Sequence, residues 1–167
     1  LVFAHRGGSA LGPENTLTAF DLGIAAGADG LELDVHLSKD GIPVVIHDST
    51  LDRTTNKLGP VAACTAAQLA AVDAGYHFAR DGSFPYRAQG VGVPTLRQVL
   101  ERYRDVPLII EMKVDSAAMG EAVARDISLA SAADRVCSAG YGSRCAAAVR
   151  AALPDVACSA SRREVRL

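Results

Sequence analysis

Acidic, imidazole and basic side chains stand at or near the ends of strand-like runs that are far apart in the sequence. Carboxylates bind hard cations, imidazoles exchange protons near neutral pH, and guanidinium or ammonium groups bind anions. In parallel α/β folds, reactive groups collect at the carboxyl ends of the strands, so we expect these side chains to meet. The candidates are His5, Arg6, Glu32, Asp34, His47, Glu111 and Lys113.

The three carboxylates among these candidates need a positive partner, because like charges that converge in a buried place raise one another's pKa. A divalent cation meets this need, and all-oxygen ligands suit Mg²⁺ or Ca²⁺ better than Zn²⁺. The two histidines can serve as general base and general acid. Arg6 and Lys113 can hold an anionic phosphate. The residue types therefore favour metal-assisted hydrolysis of a phosphodiester.

A hairpin is predicted to bring His47 to the second strand. Asp40-Gly41 separates two strand-like runs, which is the pattern of a two-residue hairpin turn. In that register Asp34 lies directly opposite His47, so both side chains share a face with Glu32 and His36. We interpret His36 as structural. A shift of the register by one residue would separate the group.

The elements that position these residues alternate between strand and helix, which predicts a parallel sheet. The pattern favours an α/β fold of the TIM-type (β/α)₈ barrel class, represented by its first five βα units; an open five-stranded sheet is the alternative. We expect residues 1–167 to form a single, C-terminally incomplete barrel domain, with a small insertion at 48–93 after the hairpin. The predicted strands are 2–5, 30–36, 107–112, 135–140 and 155–160.

A helix is predicted to begin at Pro13-Glu14, because proline suits the first helical turn and an acidic residue there meets the positive end of the helix dipole. Leu17, Phe20 and Ile24 follow on one helical face. We interpret Glu14 and Asn15 mainly as residues that cap the first turn and anchor the loop.

Composition excludes several classes of function. The chain has 167 residues with 17 Lys+Arg, 19 Asp+Glu and a net charge of −2, which argues against a nucleic-acid partner. No apolar run is long enough to span a membrane. The four cysteines have no C-x-x-C spacing, which is typical of unpaired thiols in a reducing, cytoplasmic location, although a Cys137–Cys145 bridge stays open.

Six motifs in order resemble the glycerophosphodiester phosphodiesterase family, a group of phosphodiesterase barrels similar to the phosphatidylinositol-specific phospholipases. The resemblance covers most of residues 1–113. It implies hydrolysis of glycerophosphodiesters to glycerol 3-phosphate and an alcohol, with Mg²⁺ or Ca²⁺ as cofactor. The motifs are His5-Arg6-Gly7, Pro13-Glu14-Asn15-Thr16, Glu32-Leu33-Asp34, Lys39-Asp40-Gly41, Pro43 to Asp48, and Glu111-Met112-Lys113.

The resemblance also implies a role for each candidate. Glu32, Asp34 and Glu111 would bind the metal, and His5 and His47 would be the acid–base pair. Arg6 would contact the phosphate and Lys113 would assist it. Two other functions stay open: a cyclising phospholipase that stops at a cyclic phosphate, and a phosphodiester-binding module without catalysis. The sequence predicts a small-molecule partner and leaves the oligomeric state open.

Overall fold

The structure, a computed structural model, describes residues 1–140 and 142–165, without the side chains of Arg162 and Arg163. Its strands are β1 (Phe3–Ala4), β2 (Gly30–Leu37), β3 (Pro43–Val45), β4 (Leu108–Met112), β5 (Val136–Gly140) and β6 (Ala157–Cys158). They form one 6-stranded sheet. Five strands run parallel in the order β1-β2-β4-β5-β6, and β3 pairs antiparallel with β2.

Helices follow the parallel strands in the alternation that the sequence predicts. They are α1 (Leu17–Ala25), α2 (Ala66–Ala70), α3 (Leu96–Arg102), α4 (Ala117–Leu129), α5 (Ser143–Ala152) and α6 (Arg162–Val165), with single 3₁₀ turns at His5–Gly7 and Val61–Ala63. This succession confirms the fold class, five βα units of a (β/α)₈ barrel.

The two faces of β2 have different environments, because successive side chains of a strand point to opposite sides. Leu31, Leu33 and Val35 are fully buried and belong to the main core. That core includes apolar residues of four helices, among them Phe20, Leu96, Met119 and Val149. The alternate residues of β2, Glu32 and Asp34 among them, therefore face away from the helices.

Helix α1 begins four residues later than predicted. Thr16 is its N-cap, with its hydroxyl accepting a hydrogen bond from the Ala19 N–H at 3.2 Å. The preceding Asn15 has a φ of 58°, a left-handed conformation that a helix cannot include. The prediction of a first turn at Pro13-Glu14 is therefore wrong, and those residues belong to a loop.

The β2–β3 hairpin has a register one residue away from the predicted one. Val35 pairs with Val45 and His36 with Val44. The loop has three residues, closed by Gly41 at a φ of 72°. A three-residue loop with glycine in the left-handed region is a common alternative to the two-residue turn. The predicted pairing of Asp34 with His47 is wrong.

Residues 48–93, the predicted insertion, lie between β3 and α3 and contain α2 with a second apolar cluster. This cluster includes Leu51, Val61 and Leu69. Arg80 joins the segment to the first loop, because its Nη2 donates to the carbonyls of Ala10 and Leu11 at 3.1 and 2.9 Å. All four cysteines are free. None of the helices described is long and apolar enough to cross a bilayer.

Candidate active site

Three carboxylates from β2 and β4 converge on one face of the sheet. One oxygen from each of Glu32, Asp34 and Glu111 lies within 4.8 Å of the other two. The strand register causes this convergence, since Asp34 and Glu111 are direct partners in the parallel ladder and Glu32 is two residues earlier on the same face. The Asp34 side chain is 1% exposed. Three carboxylates at this spacing provide an all-oxygen donor set that fits a hard divalent cation.

The charge of this cluster is only partly compensated by protein groups. Burial raises the pKa of Glu32 above its usual value, and the charges of Asp34 and Glu111 raise it further. Lys113 places its Nζ 2.9 Å from Asp34 Oδ1 and 2.9 Å from Glu111 Oε1. Although burial opposes the charged ammonium, the two carboxylates raise the pKa of Lys113. One ammonium therefore stands among three carboxylates, which leaves room for a further positive charge.

The 3₁₀ turn after β1 carries His5 and Arg6 to the same cluster. The backbone N–H of Arg6 donates to Glu32 Oε2 at 2.8 Å, and His5 Nε2 lies 4.0 Å from that oxygen. The His5 side chain is 67% exposed, so its ring is accessible to a substrate. The turn depends on Gly7, whose φ is 78° and where any added Cβ would overlap the ring of Phe20.

The Arg6 guanidinium lies between the carboxylates and the loop before α1. Its Nη1 donates to Glu14 Oε1 at 3.0 Å. Its Nε–H is buried, makes no hydrogen bond to the part of the chain described, and is 3.5 Å from Asp34 Oδ2. A buried donor without a partner at a cationic side chain is suited to an anionic ligand.

Asn15 has a larger role than the predicted loop anchor. It is 2% exposed, and its Nδ2 donates to Asp34 Oδ2 at 2.8 Å while its Oδ1 accepts the Asp34 backbone N–H at 3.2 Å. The amide therefore fixes both the backbone and the side chain of Asp34. The left-handed conformation of Asn15, which asparagine adopts more readily than most residues, is what aims the amide at β2.

His47 is held beside β2 by side chains, since it lies beyond the end of β3. The His36 ring nitrogen Nε2 is 3.0 Å from the His47 carbonyl oxygen, and because a carbonyl only accepts, that nitrogen carries the proton. Burial lowers the pKa of His36 and favours its neutral form. The His47 Nδ1 lies 2.6 Å from Asp48 Oδ1, which orients the ring and leaves Nε2 for chemistry.

Arg53 is a site residue that the sequence analysis missed. Its Nε donates to Asp48 Oδ2 at 2.7 Å, and its Nη1 donates to Glu14 Oε2 at 2.9 Å. Glu14, interpreted from sequence as a capping residue, instead binds both Arg6 and Arg53. In the sequence, Arg53 is one charged residue within an irregular segment, and nothing in the local pattern distinguishes it from a solvent-facing arginine.

Of the predicted residues, the structure brings together Arg6, Glu32, Asp34, Glu111 and Lys113, with His5 at the edge of the group. His47 makes no hydrogen bond or ion pair to them within residues 1–140 and 142–165, and it is linked to them through other charged side chains.

Two cavities adjoin the site. One of about 260 Å³ lies between the first loop and the 48–93 segment, and Glu14, Arg53, His77 and Phe78 line part of it. Another of about 230 Å³ borders Glu111 at the carboxyl ends of β4 and β5. A substrate that reaches the carboxylates thus has space on both sides.

Several known proteins are similar to this chain. Residues 5–136 match the model of the Glycerophosphoryl diester phosphodiesterase family. A glycerophosphodiester phosphodiesterase of Caldanaerobacter subterraneus subsp. tengcongensis is 44% identical over 116 residues, which cover 70% of this chain and 45% of that protein. The chain spans about half the length of the curated relatives it matches.

Solved structures show the same relationship. The glycerophosphoryl diester phosphodiesterase domain of a Mycobacterium tuberculosis protein is 33% identical, with a TM-score of 0.88 over 99% of this chain and 61% of that one. An Oleispira antarctica phosphodiesterase, solved with the product sn-glycerol-3-phosphate, is 30% identical, with a TM-score of 0.84 over 94% of this chain and 64% of that one.

Proposed function

Because the chain belongs to the glycerophosphoryl diester phosphodiesterase family, we propose that the protein hydrolyses glycerophosphodiesters to glycerol 3-phosphate and an alcohol. The observation that carries the proposal is the meeting of Glu32, Asp34 and Glu111 within 4.8 Å, beside the cationic Arg6 and Lys113. The product bound to the Oleispira antarctica relative supports the choice of substrate. Residues 1–167 would belong to one barrel domain, with 48–93 as its insertion.

Glu32, Asp34 and Glu111 would hold a divalent cation, Mg²⁺ or Ca²⁺. When bound, the cation supplies Lewis-acid stabilisation of the negative charge that develops on the phosphoryl oxygens. The Arg6 guanidinium binds the phosphate through donors that Glu14 does not occupy, and Lys113 adds a point charge.

His5 and His47 divide the proton transfers. One imidazole accepts the proton of the glycerol hydroxyl next to the phosphate as that oxygen bonds to phosphorus. The other donates a proton to the leaving oxygen as its bond to phosphorus breaks, so that the alcohol departs neutral. Water then adds to phosphorus and opens the cyclic phosphate, with the two proton transfers reversed, to give glycerol 3-phosphate. The Asp48 carboxylate keeps the His47 ring in one orientation throughout. The exposure of the two side chains, 67% for His5 and 31% for His47, supports access of both rings to a ligand.

The test is phosphorus NMR of the intact natural protein with glycerophosphoglycerol as substrate. We expect glycerol 3-phosphate to appear with Mg²⁺ or Ca²⁺, and the signal to stop growing after a chelator is added. His47→Ala and Glu111→Gln should each lower kcat at least 100-fold, whereas Glu121→Gln, an exposed carboxylate on α4, should not change it.

Two results would reject the proposal. A cyclic phosphate that accumulates as the end product would identify a cyclising phospholipase. Binding of the substrate without turnover in the metal-loaded protein would identify a binding module. Circular dichroism of each variant would establish that loss of activity does not come from loss of the fold.

A further inference from the structure

Arg53 makes two forked ion pairs with carboxylates that come from different segments. On one side, Nε lies 2.7 Å from Asp48 Oδ2 and Nη2 lies 3.0 Å from Asp48 Oδ1. On the other side, Nη1 lies 2.9 Å from Glu14 Oε2 and Nη2 lies 2.7 Å from Glu14 Oε1. Only the planar guanidinium can satisfy two carboxylates in this way, because its donors diverge in one plane.

Each carboxylate also contacts one of the groups to which the proposed function gives a role. Asp48 Oδ1 is 2.6 Å from His47 Nδ1, and Glu14 Oε1 is 3.0 Å from Arg6 Nη1. Arg53 is therefore the central link of a continuous chain from the acid–base histidine to the phosphate-binding arginine. The chain joins residues that are 39 positions apart in the sequence.

The charges of this chain depend on one another. The hydrogen bonds from Arg53, together with that from His47, outweigh burial and hold the pKa of Asp48 far below its usual value. Burial raises the pKa of Glu14, but the bonds from Arg53 and the charge of Arg6 lower it below its usual value. Without Arg53, the Asp48 carboxylate would retain only the His47 contact, and Glu14 would retain only Arg6.

We propose that Arg53 is a positioning residue that holds the His47 ring and the Arg6 guanidinium in place through Asp48 and Glu14. The proposal rests on the proposed function for the roles of His47 and Arg6. Arg53 itself needs no contact with the phosphate. Its side chain is 48% exposed, so the effect comes from geometry and charge and not from burial of the side chain in a core.

Removal of the Arg53 side chain should leave the Asp48 carboxylate free to move, because only the His47 contact would then hold it. The His47 ring would lose a fixed partner at Nδ1, while the bond from His36 to the His47 carbonyl would still hold the backbone.

The experiment compares Arg53→Met and Arg53→Lys in the intact natural protein. ¹⁵N NMR of the His47 ring at one pH, without substrate, should show a changed Nδ1 resonance in Arg53→Met, because the hydrogen bond to a fixed Asp48 is lost. That variant should lower kcat for glycerophosphoglycerol about 10- to 100-fold. In Arg53→Lys the charge is kept but the double fork is lost, and there we expect KM raised about 5- to 10-fold with a smaller loss of kcat.

Arg102→Met is the matched control. Arg102 also forms a two-point ion pair with a carboxylate, Asp21, at 2.7 and 3.1 Å, and its side chain is 51% exposed. It lies on α3, outside the site, so its substitution should change neither the His47 Nδ1 resonance nor KM. An unchanged His47 Nδ1 resonance in a folded Arg53→Met protein would overturn the proposal. If that variant does not fold, an unchanged KM in Arg53→Lys would do so.

The NMR measurement also separates this inference from the proposed function. A protein without turnover would reject the hydrolase assignment, whereas a changed His47 Nδ1 resonance in Arg53→Met would still support the link through Asp48. Turnover with an unchanged resonance and an unchanged KM would reject the role of Arg53 alone.

Discussion

Lys113 competes with the proposed cation for the same carboxylates. Removal of its charge should therefore strengthen metal binding, although it should weaken catalysis. Its Nζ lies 2.9 Å from Asp34 Oδ1 and 2.9 Å from Glu111 Oε1, two residues of the proposed metal site. A divalent ion that binds the same carboxylates must share them with the ammonium or displace it. We therefore expect Lys113→Met to lower the Kd for Mg²⁺ and Ca²⁺.

The magnitude follows from the distances. A hard cation binds carboxylate oxygens at about 2.1–2.4 Å, so the ammonium and the cation would be no more than about 5 Å apart. Coulomb's law gives ~7 kcal/mol of repulsion at an effective dielectric constant of ~20 and ~2 kcal/mol in water. Because the lysine chain can move toward solvent, the lower value applies. About 2 kcal/mol corresponds to a Kd roughly 30-fold lower.

Isothermal titration calorimetry of the intact natural protein with Mg²⁺ or Ca²⁺ measures this change directly. Lys39→Met is the control, because it removes the same charge from the exposed β2–β3 loop and should leave Kd unchanged. A Kd in Lys113→Met that equals or exceeds that of the unsubstituted protein would refute the reasoning. It would mean either that Lys113 helps to assemble the metal site or that the cation binds elsewhere.

Four further predictions concern the carboxylates and the loop that holds them. The affinity for Mg²⁺ should fall as the pH falls through the raised pKa of Glu32, because protonation removes a ligand; calorimetry across pH 5–8 checks this, and a flat profile would contradict it. Without metal, the raised pKa of Glu32 means that its ionised carboxylate destabilises the fold at pH 7. Glu32→Gln removes that charge and should therefore raise the free energy of unfolding of the metal-free protein at pH 7. Asn15→Leu should lower the free energy of unfolding by about 2–3 kcal/mol, measured by urea denaturation, because two buried polar groups of Asp34 lose their partner. Gly7→Ala should lower Tm and kcat/KM together, since it forces a strained φ and a clash with Phe20; a normal Tm would show that the turn can relax.

Much of the fold follows from periodicity and order. The strand-like runs at 30–36, 107–112 and 135–140 differ from β2, β4 and β5 by one residue at most. These runs are long and their apolar alternation or continuity is clear, which is the condition under which sequence patterns are reliable. The three carboxylates could be placed for the same reason, because residues that are aligned on neighbouring parallel strands lie next to each other.

The errors occur where side chains override a local pattern. The amide of Asn15 binds β2 and requires a left-handed backbone, so the helix starts at Leu17 and not at Pro13. The hairpin adopts a three-residue loop, so His47 lies beyond the ladder and is held by contacts with His36 and Asp48. Glu14, one of the two carboxylates that Arg53 binds, is 39 residues away, and such tertiary pairing leaves no periodic trace in the sequence.

The alternation along β2 places two different roles on adjacent residues of one strand. Leu31, Leu33 and Val35 face the helices and pack in the core. Glu32 and Asp34, which lie between them, carry oxygens of the proposed metal site. Exchange of Leu33 for another apolar residue of similar volume should therefore be tolerated better than any change at Asp34.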